Sequence, residues 1–235
     1  VPEIGLPPVK VTPLEQFHLG IAVLVKQGMP AIAPDRHVIL LSYLDLLSKW
    51  NRVYNLTSVR DPATMLDRHL LDSLMMNRWL PTSPAATTHG VDVMDIGSGA
   101  GLPVLPLAII RPDLQFISVE SNGKKTRFQQ QVLLELGIAN VRLVNQRVES
   151  VTDTAQFVTS RAFTSPQQFL SIAYPLCAES GRVAVMLGVA ERMPTAIGPQ
   201  YVLEELVGVE MPGTESARHI AVCRRQPEEW ITLPG

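Results

Sequence analysis

The chain has 235 residues, 46% of them hydrophobic and 18% charged, with a formal net charge of −2, which excludes a disordered chain and a general polyanion binder. Any nucleic-acid affinity must then come from a local patch. Cys177 and Cys223 lack Cys or His partners at metal-ligand spacing, and there is neither a secretory signal at the start nor a run of about 18 apolar residues, so no disulfide framework, metal site or membrane segment is expected and a reducing cytoplasm fits best.

Pro2, Pro7 and Pro8 mark residues 1–12 as a loosely ordered lead-in to a helical segment over residues 13–80. Apolar residues at helical spacing, Phe17, Ile21, Leu24 and Val25, predict a first helix ending before Gly28 and Pro30. A second helix is predicted from Asp35 as N-cap, with Val38, Leu41, Leu44, Leu47 and Trp50 on its inward face. A third runs from Asp61 to about Trp79, opened by Pro62. Residues 81–90, with Pro81, Pro84 and Gly90, read as a joining loop.

The pattern then changes. Strands are predicted over Val91 to Ile96, Gln115 to Glu120, Val141 to Val144, Phe157 to Arg161 and Arg182 to Leu187, with helices over Leu102 to Ile110, Lys124 to Leu136 and Pro166 to Cys177 between them. Alternation of this kind predicts an α/β fold, a doubly wound, mostly parallel sheet over residues 91–235. Tyr201 to Val209 and His219 to Arg224, joined by a turn around Pro212 and Gly213, are expected to close it in antiparallel fashion.

The most informative segment is Asp95-Ile96-Gly97-Ser98-Gly99-Ala100-Gly101-Leu102, an apolar strand entering three alternate glycines and then a helix. Glycines permit a tight turn and close approach of a ligand to the backbone, at the sheet edge where α/β folds bind ligands. The dinucleotide fingerprint G-x-G-x-x-G fails, because Leu102 or Val104 falls where its last glycine belongs. Asp95 would repel a pyrophosphate but attract the ammonium group of S-adenosylmethionine, so charge favours the cationic cofactor. Glu120, ending the next strand, is positioned to accept from ribose hydroxyls in either class.

Other segments leave alternatives open at this level. Asn145-Gln146-Arg147-Val148-Glu149 either flanks an adenine or is a plain polar loop, and Arg161 either works at the crevice or pairs with a surface acid. His69 and Asp72, one helical turn apart, face a pocket or merely stabilise their helix. Lys49, Arg52, Arg60, Arg68, Arg78, Lys124, Lys125, Arg127 and Arg161 lie near the glycine turn in sequence, while residues 179–235 carry more acids than bases. A basic face on an acidic chain is compatible with that distribution.

Asn55-Leu56-Thr57-Ser58, Arg68-His69-Leu70-Leu71-Asp72-Ser73, the glycine turn through Pro103, and Ser160-Arg161-Ala162-Phe163 together resemble the bacterial 16S ribosomal RNA guanine-N7 methyltransferase G family, also called glucose-inhibited division protein B, over residues 35–224. The resemblance implies S-adenosylmethionine as cofactor and a guanine N7 of 16S rRNA in the small ribosomal subunit as methyl acceptor. Carried over by position, Gly97 and Leu102 would line the cofactor, Val148 and Glu149 would flank adenine, and Arg161 would complete the pocket as the catalytic candidate; Asp95, Ser98, Gly99, Gly101 and Glu120 join them as cofactor-binding candidates from the turn and strand end themselves. Arg60, Arg68, Lys124 and Lys125 would meet RNA; a cytoplasmic monomer without metal is expected. Two positions depart from the family pattern: Val104 stands where glycine is usual, and Leu187 before Gly188 where lysine is common. A methyltransferase for small molecules or proteins, and a non-catalytic RNA-binding module, remain the rival readings.

Overall fold

The computed structural model describes residues 12–84, 91–161, 164–187, 199–210 and 218–227. Residues 1–11 of the lead-in, Gly90, Ala162, Phe163, Gly188 and the turn at Pro212 and Gly213 lie outside the described residues.

The N-terminal helices are α1 (Pro13–Lys26) and α2 (Pro34–Tyr54). Thr12 caps α1 through a reciprocal box, its Oγ1 accepting from the Glu15 N–H and the Glu15 carboxylate accepting from the Thr12 N–H. Helix α2 begins earlier than expected. Its N-cap is Ala33 rather than Asp35, because Pro34 at the first helical position has its φ already fixed and no N–H to leave unpaired. Of its predicted face, Leu44 and Leu47 are buried and Leu41 and Trp50 pack against the core, but Val38 is 69% exposed, and Leu40, Tyr43 and Asn51 are buried instead. Polar Tyr43 and Asn51 belong inside because each finds a partner there, the Ala100 carbonyl at 2.9 Å and the Val59 carbonyl at 2.9 Å.

The third expected helix is not uniform. An α turn, α3 (Pro62–Met65), passes into a π-helix over Leu66–Leu71, a second α turn, α4 (Asp72–Leu74), and a 3-10 turn over Met75–Arg78. Widening of this kind re-aims side chains and recurs at functional sites, and here it carries Arg68 and His69.

The remaining elements are β1 (Val91–Ile96), α5 (Val104–Ile110), β2 (Phe116–Val119), α6 (Gly123–Leu136), β3 (Val141–Val144), β4 (Ala155–Arg161), α7 (Pro166–Ala173), β5 (Cys177–Leu187), β6 (Tyr201–Val209) and β7 (Arg218–Arg225). Helix α7 stops short of Cys177 because Pro175 has no N–H to continue it, and Cys177 starts β5. The strands form one sheet in the order β3-β2-β1-β4-β5-β7-β6. The first five run parallel and β7 is antiparallel to both β5 and β6. The expected antiparallel closure is therefore made by the last strand entering between its two predecessors.

Successive residues of the central strands point to opposite faces. Val93, Phe116 and Phe157 pack with α1, α2, α5 and α6 on one side, in a core continuous with Phe17, Leu40 and Leu70. Met94, Ile117 and Val158 pack on the other with Phe169 and Leu170 of α7 and both cysteines. Cys177 and Cys223 are buried free thiols, each pushed up to about 12 by burial. No helix among the described residues is long and apolar enough to cross a membrane.

Candidate active site at the carboxyl edge of the sheet

At the end of β1 the chain turns through Gly97, Gly99 and Gly101, at φ of +68°, +58° and +82°. The last two glycines do different work. A Cβ on Gly101 would lie 2.4 Å from Leu105 Cδ1, so its absence lets the turn seat on α5. A Cβ on Gly99 would meet nothing nearer than Lys125 Nζ at 3.9 Å, so that position opens outward and leaves its backbone approachable. Ser98 faces inward: its Oγ lies 2.6 Å from Ser118 Oγ and accepts from Gln129 Nε2 at 2.9 Å, while Gln129 Nε2 also donates to the Gly99 carbonyl. This buried network fastens α6 and β2 to the turn, a role for Ser118 and Gln129 that no sequence motif announced.

Two acids frame the turn. Glu120 accepts from the N–H groups of Gly99 and Asn122, each at 2.8 Å, which fixes its carboxylate against the turn. Asp95 is fully buried; one carboxylate oxygen accepts from the Val104 N–H at 3.4 Å and the other has no hydrogen-bond partner. Burial raises its carboxyl well above the usual range, against the pull of that N–H and of Arg161 and with the push of Glu120. An unpartnered buried acceptor beside an open glycine turn fits a cationic group. Beyond Glu120 lies a cavity of about 280 Å³ lined by Gly97, Glu120, Lys125, Val148 and Glu149.

A second cavity, of about 480 Å³, lies at the ends of β4 and β5 beside the π-helix and is lined by Arg68, His69, Asp72, Arg161, Phe169 and Arg218 among others. Its wall is assembled from distant segments. Asn51 donates to the Val59 carbonyl and accepts from the Thr57 N–H at 2.8 Å, stapling the loop after α2 so that Thr57 Oγ1 sits 2.7 Å from His69 Nε2. Arg161 donates to the Arg68 carbonyl at 2.9 Å, with His69 Nδ1 3.2 Å away. Burial, aided by the Arg161 charge, lowers His69 to about 4, so the imidazole is neutral near pH 7. Asp72, 7% exposed, pairs with Arg218 Nε at 3.3 Å. Burial raises its carboxyl while Arg218, Arg161 and Arg68 oppose the rise.

The structure thus divides the predicted residues. Gly97, Glu120, Lys125, Val148 and Glu149 share the smaller cavity, and Asp95, Ser98, Gly99, Gly101 and Leu102 form or support the turn beside it, Leu102 with its side chain buried. Arg161 and Arg68 line the larger cavity instead, with Arg161 half-buried and Arg68 exposed. Lys124 is exposed, and Arg60 is exposed with Nη2 donating to Asn55 Oδ1 at 2.9 Å. His69 and Asp72 face the larger cavity, which resolves their ambiguity in the sequence. Thr57, within Asn55-Leu56-Thr57-Ser58, and Arg218, at the head of the closing strand, belong to segments that carry the resemblance, but neither residue has a site role legible in the sequence. Among the described residues no group of His, Cys, Asp and Glu is arranged to hold a metal.

Sheet order, antiparallel β7 and an acid-bearing glycine turn at the carboxyl edge together define a Rossmann-like methyltransferase fold. Among solved structures, TrmN from Thermus thermophilus is similar over 68% of this chain and 53% of its own, with a TM-score of 0.50 and 16% identity. The chain belongs to the family described as rRNA small subunit methyltransferase G, whose model matches residues 36–217. Relatives named ribosomal RNA small subunit methyltransferase G include one from Neisseria meningitidis serogroup C, 42% identical over 90% of this chain and 98% of its own length. Another, from Yersinia pseudotuberculosis, is 43% identical over 79% of this chain and 88% of its own.

Proposed function

We propose that the chain transfers a methyl group from S-adenosylmethionine to N7 of a guanine in 16S rRNA of the small ribosomal subunit. Family membership gives the reaction and the RNA class. The observation that carries the assignment to this site is the unpartnered, buried Asp95 carboxylate oxygen at the turn, whose Gly97 lines the smaller cavity together with Glu120. Asp95 would receive the cofactor's ammonium group, Glu120 its ribose hydroxyls, and Val148 with Glu149 its adenine, while Gly97 and Gly99 leave the backbone open to it. Ser98, Gly101 and Leu102 hold the turn in shape. Bound there, the cofactor supplies an electrophilic methyl on a sulfonium.

Guanine N7 carries a lone pair in the neutral base, so no side chain has to remove a proton before attack. A neutral His69 held between Thr57 and Arg161 suits such chemistry, because it orders the wall without serving as an acid. Arg161 is the group we assign to positioning at the reacting centre, since it ends β4 beside β1 and lines the larger cavity, where Asp72 opposes the cost that burial places on its charge. Arg68 on the cavity rim, with Arg60, Lys124 and Lys125, would meet RNA phosphates. The working enzyme is a cytoplasmic monomer in this reading. Labelled methyl transfer to small subunits lacking the modification, followed by mapping of N7-methylguanine, tests it; a folded, cofactor-binding protein that leaves those subunits unlabelled refutes it.

A further inference from the structure

We infer that Asp72 is the residue that selects guanine, its carboxylate accepting from the N1–H and the exocyclic N2–H of the target base inside the larger cavity. The inference rests on the guanine-N7 reading above and names how that site would recognise its base. Among the described residues Asp72 is the only carboxylate lining the cavity, whose other charged lining residues are Arg68, Arg161 and Arg218. At about 480 Å³ the cavity falls within the range of small-ligand sites.

The chemistry of the base edges makes the choice. An extruded base is read by hydrogen bonds on its Watson–Crick edge. Guanine alone presents two adjacent donors there, which a carboxylate accepts side by side. Adenine and cytosine set one amino group next to a bare ring nitrogen, and uracil sets one N–H between two carbonyls, so each would bring a lone pair against the buried anion. Arg218, whose Nε is 3.3 Å from Asp72 Oδ2, is the neighbouring donor for O6. Held by that edge, guanine keeps N7 on its opposite edge, free to face the methyl group. Phe169 in the same wall supplies apolar surface for the ring. Rejection of the other bases follows from setting their lone pairs against the Asp72 carboxylate, which then has only Arg218 as partner.

Small subunits reconstituted with guanosine or inosine at the methylated position test this, because inosine lacks only the 2-amino group and keeps N7. With wild-type protein, kcat/KM for labelled methyl transfer should fall about tenfold on inosine, equivalent to about 1.4 kcal/mol. Asp72→Asn should lose at least as much on guanosine, retain cofactor binding by calorimetry, and treat the two substrates nearly alike. Equal wild-type rates on guanosine and inosine overturn the inference without any variant, so a poorly folding Asp72→Asn leaves it decidable. Full discrimination retained by a folded Asp72→Asn overturns it as well. No methylation of guanosine subunits by folded, cofactor-binding wild type would instead sink the functional reading itself.

Discussion

The two cavities along the sheet edge are built in opposite ways. The smaller one is all local chain: the glycine turn after β1, the end of β2, Lys125 of α6 and the loop after β3 supply its walls, all between residues 97 and 149. The larger one gathers Arg68 and Asp72 from the π-helical region, Arg161 from β4 and Arg218 from β7, and depends on Asn51 and Thr57 to hold His69. A cofactor common to many enzymes is served by a compact, transferable unit. A particular RNA target demands a surface composed from the whole fold. Charge follows the same division, with two buried acids framing the turn and arginines dominating the second cavity.

The largest expected effect breaks the local unit. Gly99→Val puts a β-branched residue at φ +58° and a side chain into the open approach, so cofactor affinity measured by calorimetry should fall more than about 100-fold. Helix and sheet content should be retained. Unchanged affinity in a folded variant would remove the turn from the site.

Salt sharpens the contrast next, since only the RNA-facing side depends on counterion release. Between 50 and 200 mM salt, affinity for small-subunit RNA should drop roughly tenfold or more while cofactor affinity stays within about twofold. Parallel responses of the two ligands would argue against separate surfaces.

Arg161→Lys probes the wall of the larger cavity. Lysine keeps a charge but loses the fork that donates to the Arg68 carbonyl beside His69, so methyl transfer should slow by about tenfold with cofactor affinity preserved. Full specific activity with reduced thermal stability would make Arg161 a purely structural partner.

The smallest effect is a pH signature of the assembled wall. Because His69 titrates near 4 when folded but near its ordinary value when unfolded, the unfolded chain binds the extra proton, and this histidine's contribution to stability is lost as pH falls from about 6.5 toward 4. Asp72 and Asp95 act with the opposite sign, since their raised carboxyls favour the folded state at lower pH. The clean measurement is therefore the difference between wild type and His69→Gln. Between pH 7 and 5 the wild type should lose a few degrees of Tm more than the variant, at roughly 2–4 °C per kcal/mol. Identical pH profiles would mean that His69 is not held as described.

Sequence by itself determined the alternation that builds a parallel sheet, the acidic glycine turn, and Glu120 at the end of the next strand. Each is written in neighbouring residues, where φ, periodicity and charge act over short distances. Resemblance to a family added Val148, Glu149 and Arg161, residues that periodicity left ambiguous. Tertiary structure alone decided that Tyr43 and Asn51 turn inward and that Leu66–Leu71 winds as a π-helix. It also decided that Ser98 locks to Ser118 and Gln129, and that Asp72 meets Arg218 far along the chain. The physical reason is common to these cases: a buried polar group is stable only where its partner lies, and the partner's place is fixed by the packing of the whole sheet rather than by nearby sequence.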